Sequence, residues 1–188
     1  AVMSLILRLW CRRPYRQRNI REMKLDDNLY KNATGTWMIR FLGEELKVGR
    51  KKGQRNHFEL PFPIELVPDL EVYLSTWRAL LIKDPLNPPT HVFLNIYGKP
   101  FKNEINFNEA TSRTVHAYTG KHFHPHIIRT IWATEYIRET SDFYGAAIML
   151  NDTIETVIRK YARLMDEGTA LKADGWLETK MNTQRESN

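Results

Sequence analysis

The chain opens on a helical pattern. Leu5, Ile6, Leu7, Leu9 and Trp10 form an apolar run broken by Arg8 and ended by Arg12 and Arg13, and Pro14 closes the helix. Residues 16–25 read as a second helix, with Ile20, Met23 and Leu25 facing inward. The pattern then shortens to β-type runs at 36–41, 44–48 and 57–62. They are joined by Leu42-Gly43 and by a Lys/Gly/Gln/Arg turn at 51–55, which predicts an antiparallel meander. Residues 63–83 turn helical after Pro68, with Leu70, Val72, Tyr73, Trp77, Leu80 and Leu81 as candidate core positions. A stiff loop, Asp84-Pro85-Leu86-Asn87-Pro88-Pro89, leads into a short apolar stretch at 91–97 that ends in the turn Gly98-Lys99-Pro100. From residue 108 onward the pattern is helical, in four or five short pieces. Pro125 suits a first helical turn, and Asp152 with Glu155 three residues on reads as a capping box ahead of Ile154, Val157 and Ile158. No parallel βαβ unit is visible. The expected fold is α+β: mainly α-helical, with a small three-stranded antiparallel sheet.

Composition narrows the class. A chain of 188 residues that is 42% hydrophobic can bury one sizeable core. Its charge is uneven. Residues 1–60 carry 14 Lys and Arg against 6 Asp and Glu, whereas residues 61–188 carry 14 against 16. A basic excess confined to the first third suits a face that meets a polyanion. The single cysteine, Cys11, excludes an internal disulfide and fits a reducing compartment; its place in the first apolar run assigns it to packing. That run is too short and too charged to span a bilayer and lacks the layout of a signal peptide. A cytoplasmic protein with no membrane partner is therefore expected. The Asn-x-Thr triplets at Asn32 and Asn151 are read as chance matches to the glycosylation pattern.

The candidate chemistry centres on His126-Ile127-Ile128-Arg129. At helical spacing the imidazole and the guanidinium point the same way, and a guanidinium grips a phosphate through two parallel hydrogen bonds. Breaking a phosphodiester without a metal requires cationic donors on the non-bridging oxygens, a nucleophile that loses a proton, and a group that protonates the departing oxygen. Arg16, Lys52, His126, Arg129 and Tyr161 together supply these. The run His122-Phe123-His124-Pro125-His126 also admits a metal reading if alternate His side chains share a strand, but Pro125 favours a helix start there. No metal site is assigned.

In that order and spacing the residues resemble the tyrosine recombinases, the phage-integrase family. The stretch from His126 through Arg129 and Trp132 to Thr134 is similar to the family's box His-x-Leu-Arg-His-Thr-Phe-Ala-Thr. The stretch from Met149 through Asn151 to Thr156 is similar to Leu-Gly-His-Ser-x-Ile-x-Thr, running on to the nucleophilic Tyr. Arg16 to Met23 is similar to the first box, Arg-x-x-Glu-Leu-x-x-Leu, and the hairpin between Val48 and Pro61 resembles the turn that delivers a Lys. The resemblance implies that Arg16 and Arg129 clamp a scissile phosphate and that His126 positions it. It further implies that Lys52 protonates the leaving 5′ oxygen and that Tyr161 becomes joined to the 3′ phosphate.

The resemblance implies no metal and no organic cofactor. Its expected partner is double-stranded DNA, met also by Arg18, Arg50, Lys51 and Arg55, in a bacterial or phage-encoded protein. Lys51 rivals Lys52, and Arg18 rivals Arg16. Three positions depart from the pattern: Asn19 stands for a Glu, Asn151 for a His or Trp, and Thr130 for a His. An amide at 151 still offers two N–H donors. A catalytic domain at 1–165 and a tail at 166–188 that docks on a neighbouring protomer are implied, and an N-terminal DNA-clamp domain is expected to be missing from these 188 residues. Alternatives of the same chemistry are a type IB topoisomerase-like nicking and closing enzyme, and a catalytically weakened DNA-binding relative.

Overall fold

A computed structural model of the chain describes residues 2–46, 57–162 and 175–176. Helix α1 (Val2–Arg12) buries Leu5, Ile6, Leu9 and Trp10 on one face, as their spacing demands. The Trp10 indole N–H donates to Tyr15 O at 2.9 Å and ties the chain back past Pro14. Cys11 corrects the packing assignment. It is exposed, because it falls about 100° beyond Trp10 on the solvent side of the helix.

Arg16 stands at the N-cap of α2 (Gln17–Arg21), which is shorter than the 16–25 helix expected. Beyond it the backbone pairs with a distant segment instead of continuing the helix. Leu25 N donates to Thr90 O, and Val92 N donates to Met23 O, both at 2.8 Å. Ile20 and Met23 are nonetheless fully buried, as expected.

The three-stranded antiparallel sheet is present, but one of its strands is not the one expected. Its order is β1 (Leu29–Lys31), β2 (Trp37–Leu42), β3 (His57–Pro61), with Ile39 set between Leu29 and Leu60. The expected run at 44–48 is not a strand where it is described. Gly43–Glu45 is a 3₁₀ turn, held by the Glu45 carboxylate, which accepts from Leu42 N (2.7 Å) and Asn28 Nδ2 (2.9 Å). The missed strand β1 enters through a turn in which Asn32 Oδ1 accepts from Thr34 N (3.0 Å) and Thr36 N (2.9 Å), while Gly35 takes φ +79°. Asn32 is thus a turn residue. Residues 47–56 of the β2–β3 connection, with Arg50, Lys51, Lys52 and Arg55, lie outside the described residues.

Residues 64–81 are helical but not on one continuous phase. A 3₁₀ turn (Ile64–Leu66) and α3 (Val67–Val72) run into a π-helical turn (Tyr73–Trp77) before α4 (Arg78–Leu81). The wider turn inserts one residue and rotates the following face by about 100°. Leu70 and Tyr73 are buried as expected, but Val72, Trp77 and Leu80 are exposed and Arg78 turns inward. Its guanidinium donates to Pro89 O and to His91 O, pinning the proline-rich loop.

The rest is helical. Helix α5 (Glu104–Thr119) begins earlier than expected because Asn103 caps it, its side chain accepting from Asn106 N at 2.9 Å. Helices α6 (His126–Thr140), α7 (Phe143–Leu150) and α8 (Ile154–Tyr161) follow. The main core gathers α1, the sheet, α3 and residues 92–107; a second cluster packs Ala133, Ile137, Ala146, Leu150, Val157 and Tyr161 between α6, α7 and α8. The fold is therefore α+β, as expected. Among the described residues no helix is long and apolar enough to cross a membrane. The expected boundary at 165/166 falls outside the described residues, as does the tail except for Gly175 and Trp176.

Candidate active site

The turn between α7 and α8 organises the site. Asn151, in the left-handed region at φ 49° and ψ 52°, ends α7, and Asp152 N donates back to Ala147 O at 3.0 Å. The carbonyls and the carboxylate of this turn face two arginines from distant parts of the chain. Arg16 donates from Nη1 to Asn151 O (2.6 Å) and from Nη2 to Asp152 Oδ2 (2.9 Å). Arg129, on the first turn of α6, is 6% exposed and donates to Pro14 O and to Leu150 O (2.6 Å). Its Nη2 lies 4.0 Å from Asp152 Oδ2. A guanidinium has five N–H donors, and these contacts occupy two on each arginine.

A cleft of about 330 Å³ opens beside the pair. Its walls include Arg16, Arg18, Arg21, His126, Arg129, Asp152 and Lys160. Tyr161, at the end of α8, lines a smaller adjoining recess with His126, Arg129, Asp152 and Lys160. Asn151 lines a third, narrow cavity with Asn19, Phe41 and Phe58 that Arg16 and Arg129 also border. Its Nδ2 is buried with no hydrogen-bond partner among the described residues. The fold thus brings Arg16, His126, Arg129 and Tyr161 around one turn. Arg18 stands on the cleft wall, paired with Glu22 at 2.8 Å.

The electrostatics follow from burial and crowding of positive charge. The Arg129 pKa is lowered to about 10, by burial first and then by the Arg16 charge, against the opposing pull of Asp152 and Tyr161. Arg16 is also lowered, by burial, against the pull of Asp152. The His126 pKa falls below its ordinary value through burial first, then through Arg129, Lys160, His124 and Arg16. A neutral imidazole therefore faces the cleft at pH 7.

Arg21, Asp152 and Lys160 stand on the cleft wall although the sequence does not mark them as site residues. Its spacing from Glu155 marks Asp152 as a helix cap, but Thr153 caps α8, its Oγ1 accepting from Thr156 N at 3.2 Å, and the Asp152 carboxylate turns to Arg16. Lys160 immediately precedes Tyr161, and that adjacency was the only signal available for it. The histidine run does not share a strand face: His124 Nδ1 accepts from His126 N at 3.2 Å, and His122 stacks on His116. No cluster of three potential metal ligands occurs among the described residues.

The helical body with its three-stranded antiparallel sheet is a fold shared with a solved site-specific recombinase. Among solved structures the chain is similar to the XerH site-specific recombinase, determined in a post-cleavage complex with a palindromic difH substrate. The TM-score is 0.61 over 94% of this chain, at 15% identity. The chain spans 46% of that recombinase chain. No protein-family model and no curated protein matches the sequence.

Proposed function

We propose that this chain cuts and rejoins DNA at specific sites through a covalent 3′-phosphotyrosyl intermediate. Arg16 and Arg129 hold the non-bridging oxygens of the scissile phosphate, where charge grows in the transition state. The Tyr161 oxygen forms a bond to phosphorus as the bond to the 5′ oxygen breaks. The phenol loses its proton with His126 as the nearby acceptor, and Lys52 gives a proton to the departing 5′ oxygen. Rejoining is the reverse: a 5′ hydroxyl attacks phosphorus and releases the tyrosine. The phosphotyrosyl bond conserves the energy of the broken link, so rejoining needs no nucleotide.

The observation that carries this reading is the convergence of Arg16 and Arg129 on one turn, from positions separated by most of the chain, with His126 and Tyr161 beside them. Asn151 contributes its backbone carbonyl, which accepts from Arg16; the residue lines the narrow cavity and not the cleft, and its Nδ2 is buried. Double-stranded DNA is the partner, bound by the basic wall and by Arg50, Lys51 and Arg55, and residues 166–188 dock on a second protomer.

The test uses a pool of nicked suicide duplexes with a randomised central segment. The unmodified protein should give an adduct stable to denaturing gels, and Tyr161→Phe should give none. An adduct that persists in Tyr161→Phe removes Tyr161 as nucleophile. Binding without any adduct from the unmodified protein favours a DNA-binding relative.

A further inference from the structure

We propose that Asp152 is the positioning residue that sets Arg16 for phosphate capture, an inference that rests on the strand-cutting reading above. Arg16 needs such a residue. It sits at the N-cap of a five-residue helix, before the first helical turn, on a long side chain with many rotamers. Asn151 O and Asp152 Oδ2 grip its two terminal nitrogens from one side, at 2.6 and 2.9 Å, which fixes the guanidinium plane. The donors not engaged by these contacts remain for a ligand.

The other side chain placed to reach Arg16 from its own helix does not do so. Asn19, three residues on, sends its Nδ2 to Glu45 O at 3.2 Å. The carboxylate therefore comes from across the fold. Asp152 is well placed to supply it: its side chain is 10% exposed, and Thr153 relieves it of capping α8. It also lies 4.0 Å from Arg129, so one negative charge stands between two crowded guanidinium groups and offsets their repulsion. Asp152 does not itself need to touch the phosphate.

This arrangement separates chemistry from binding. Asp152→Asn keeps the size of the side chain but loses the charge that holds Arg16, and it removes a negative charge from a basic cleft. Duplex affinity should hold or rise. Adduct formation at saturating duplex, with the sequence enriched from the randomised pool, should slow by about tenfold to a hundredfold, by analogy with residues that orient the ligands of a metal. Asp152→Glu, which keeps the carboxylate, should recover part of the rate. An Asp152→Asn variant that forms adduct as fast as the unmodified protein, or faster, overturns the proposal. If Asp152→Asn does not fold, Asp152→Glu decides: it must cleave faster than Arg16→Ala, and a rate no higher overturns the proposal. No adduct from the unmodified protein overturns the strand-cutting reading and this inference with it, whereas an adduct indifferent to position 152 overturns only this inference.

Discussion

Arg129→Lys should destabilise the fold although it preserves the charge. Arg129 is a strut: its two terminal nitrogens reach Pro14 O, ahead of α2, and Leu150 O, at the end of α7. A single ammonium on a shorter stem cannot span both carbonyls, so one buried acceptor loses its partner. That loss costs about 2 kcal/mol, within the range for an unsatisfied buried group. The burial penalty that lowers the Arg129 pKa is not relieved, because a positive charge stays in the same place. Arg129→Met is a blunter probe, since it loses both hydrogen bonds but also relieves that penalty, and the two effects oppose each other. For a chain of this length, about 2 kcal/mol corresponds to a Tm lower by roughly 4–8 °C. Thermal unfolding followed by circular dichroism measures it directly. A fall of less than about 2 °C would show that Arg129 does not carry the link between Pro14 and Leu150.

His126 should titrate below the ordinary histidine value of about 6.5 in a two-dimensional NMR experiment, and Lys160→Ala should raise its pKa. Because the unfolded chain binds this proton more readily, the His126 contribution to stability falls as pH drops through the ordinary value; a pKa at or above 6.5 would contradict the assigned burial. Lys160→Ala should weaken duplex binding and lower the magnitude of the salt slope by about 1, measured by fluorescence anisotropy across a salt series, and an unchanged slope would take Lys160 off the DNA path. Gly98→Ala should cost at least about 2 kcal/mol, from positive-φ strain together with steric overlap. Gly98 holds φ +74°, and an added Cβ would lie 1.9 Å from Leu81 O; urea denaturation measures the loss. Thr153→Ala should cost about 1 kcal/mol by the same method through loss of the α8 cap, and a neutral result would return that role to Asp152.

Local signals were readable where the local environment decides the outcome. The apolar face of α1, the start of α6 after Pro125 and the strands at Trp37–Leu42 and His57–Pro61 follow from side-chain spacing and turn chemistry. Signals failed where two local solutions compete and a distant segment chooses between them. The 16–25 helix is cut short because residues 90–92 offer backbone partners to Met23 and Leu25. Trp77 and Leu80 face solvent because the π-helical turn shifts phase, a register that no pattern of apolar residues announces. Leu29–Lys31 is only three residues long, too short to show a period of its own.

The sequence by itself determined an α+β domain with a basic first third and a candidate phosphate-binding set anchored on His126 and Arg129, because helical spacing, turn residues and charge are properties of neighbouring positions. Only the tertiary structure decided which residues those arginines meet. Arg16 and Asn151 are 135 residues apart in sequence, yet they share a hydrogen bond, and an aspartate with the local signature of a helix cap holds Arg16 instead. A carboxylate goes to the strongest partner within reach, and that partner is visible only once the chain has folded.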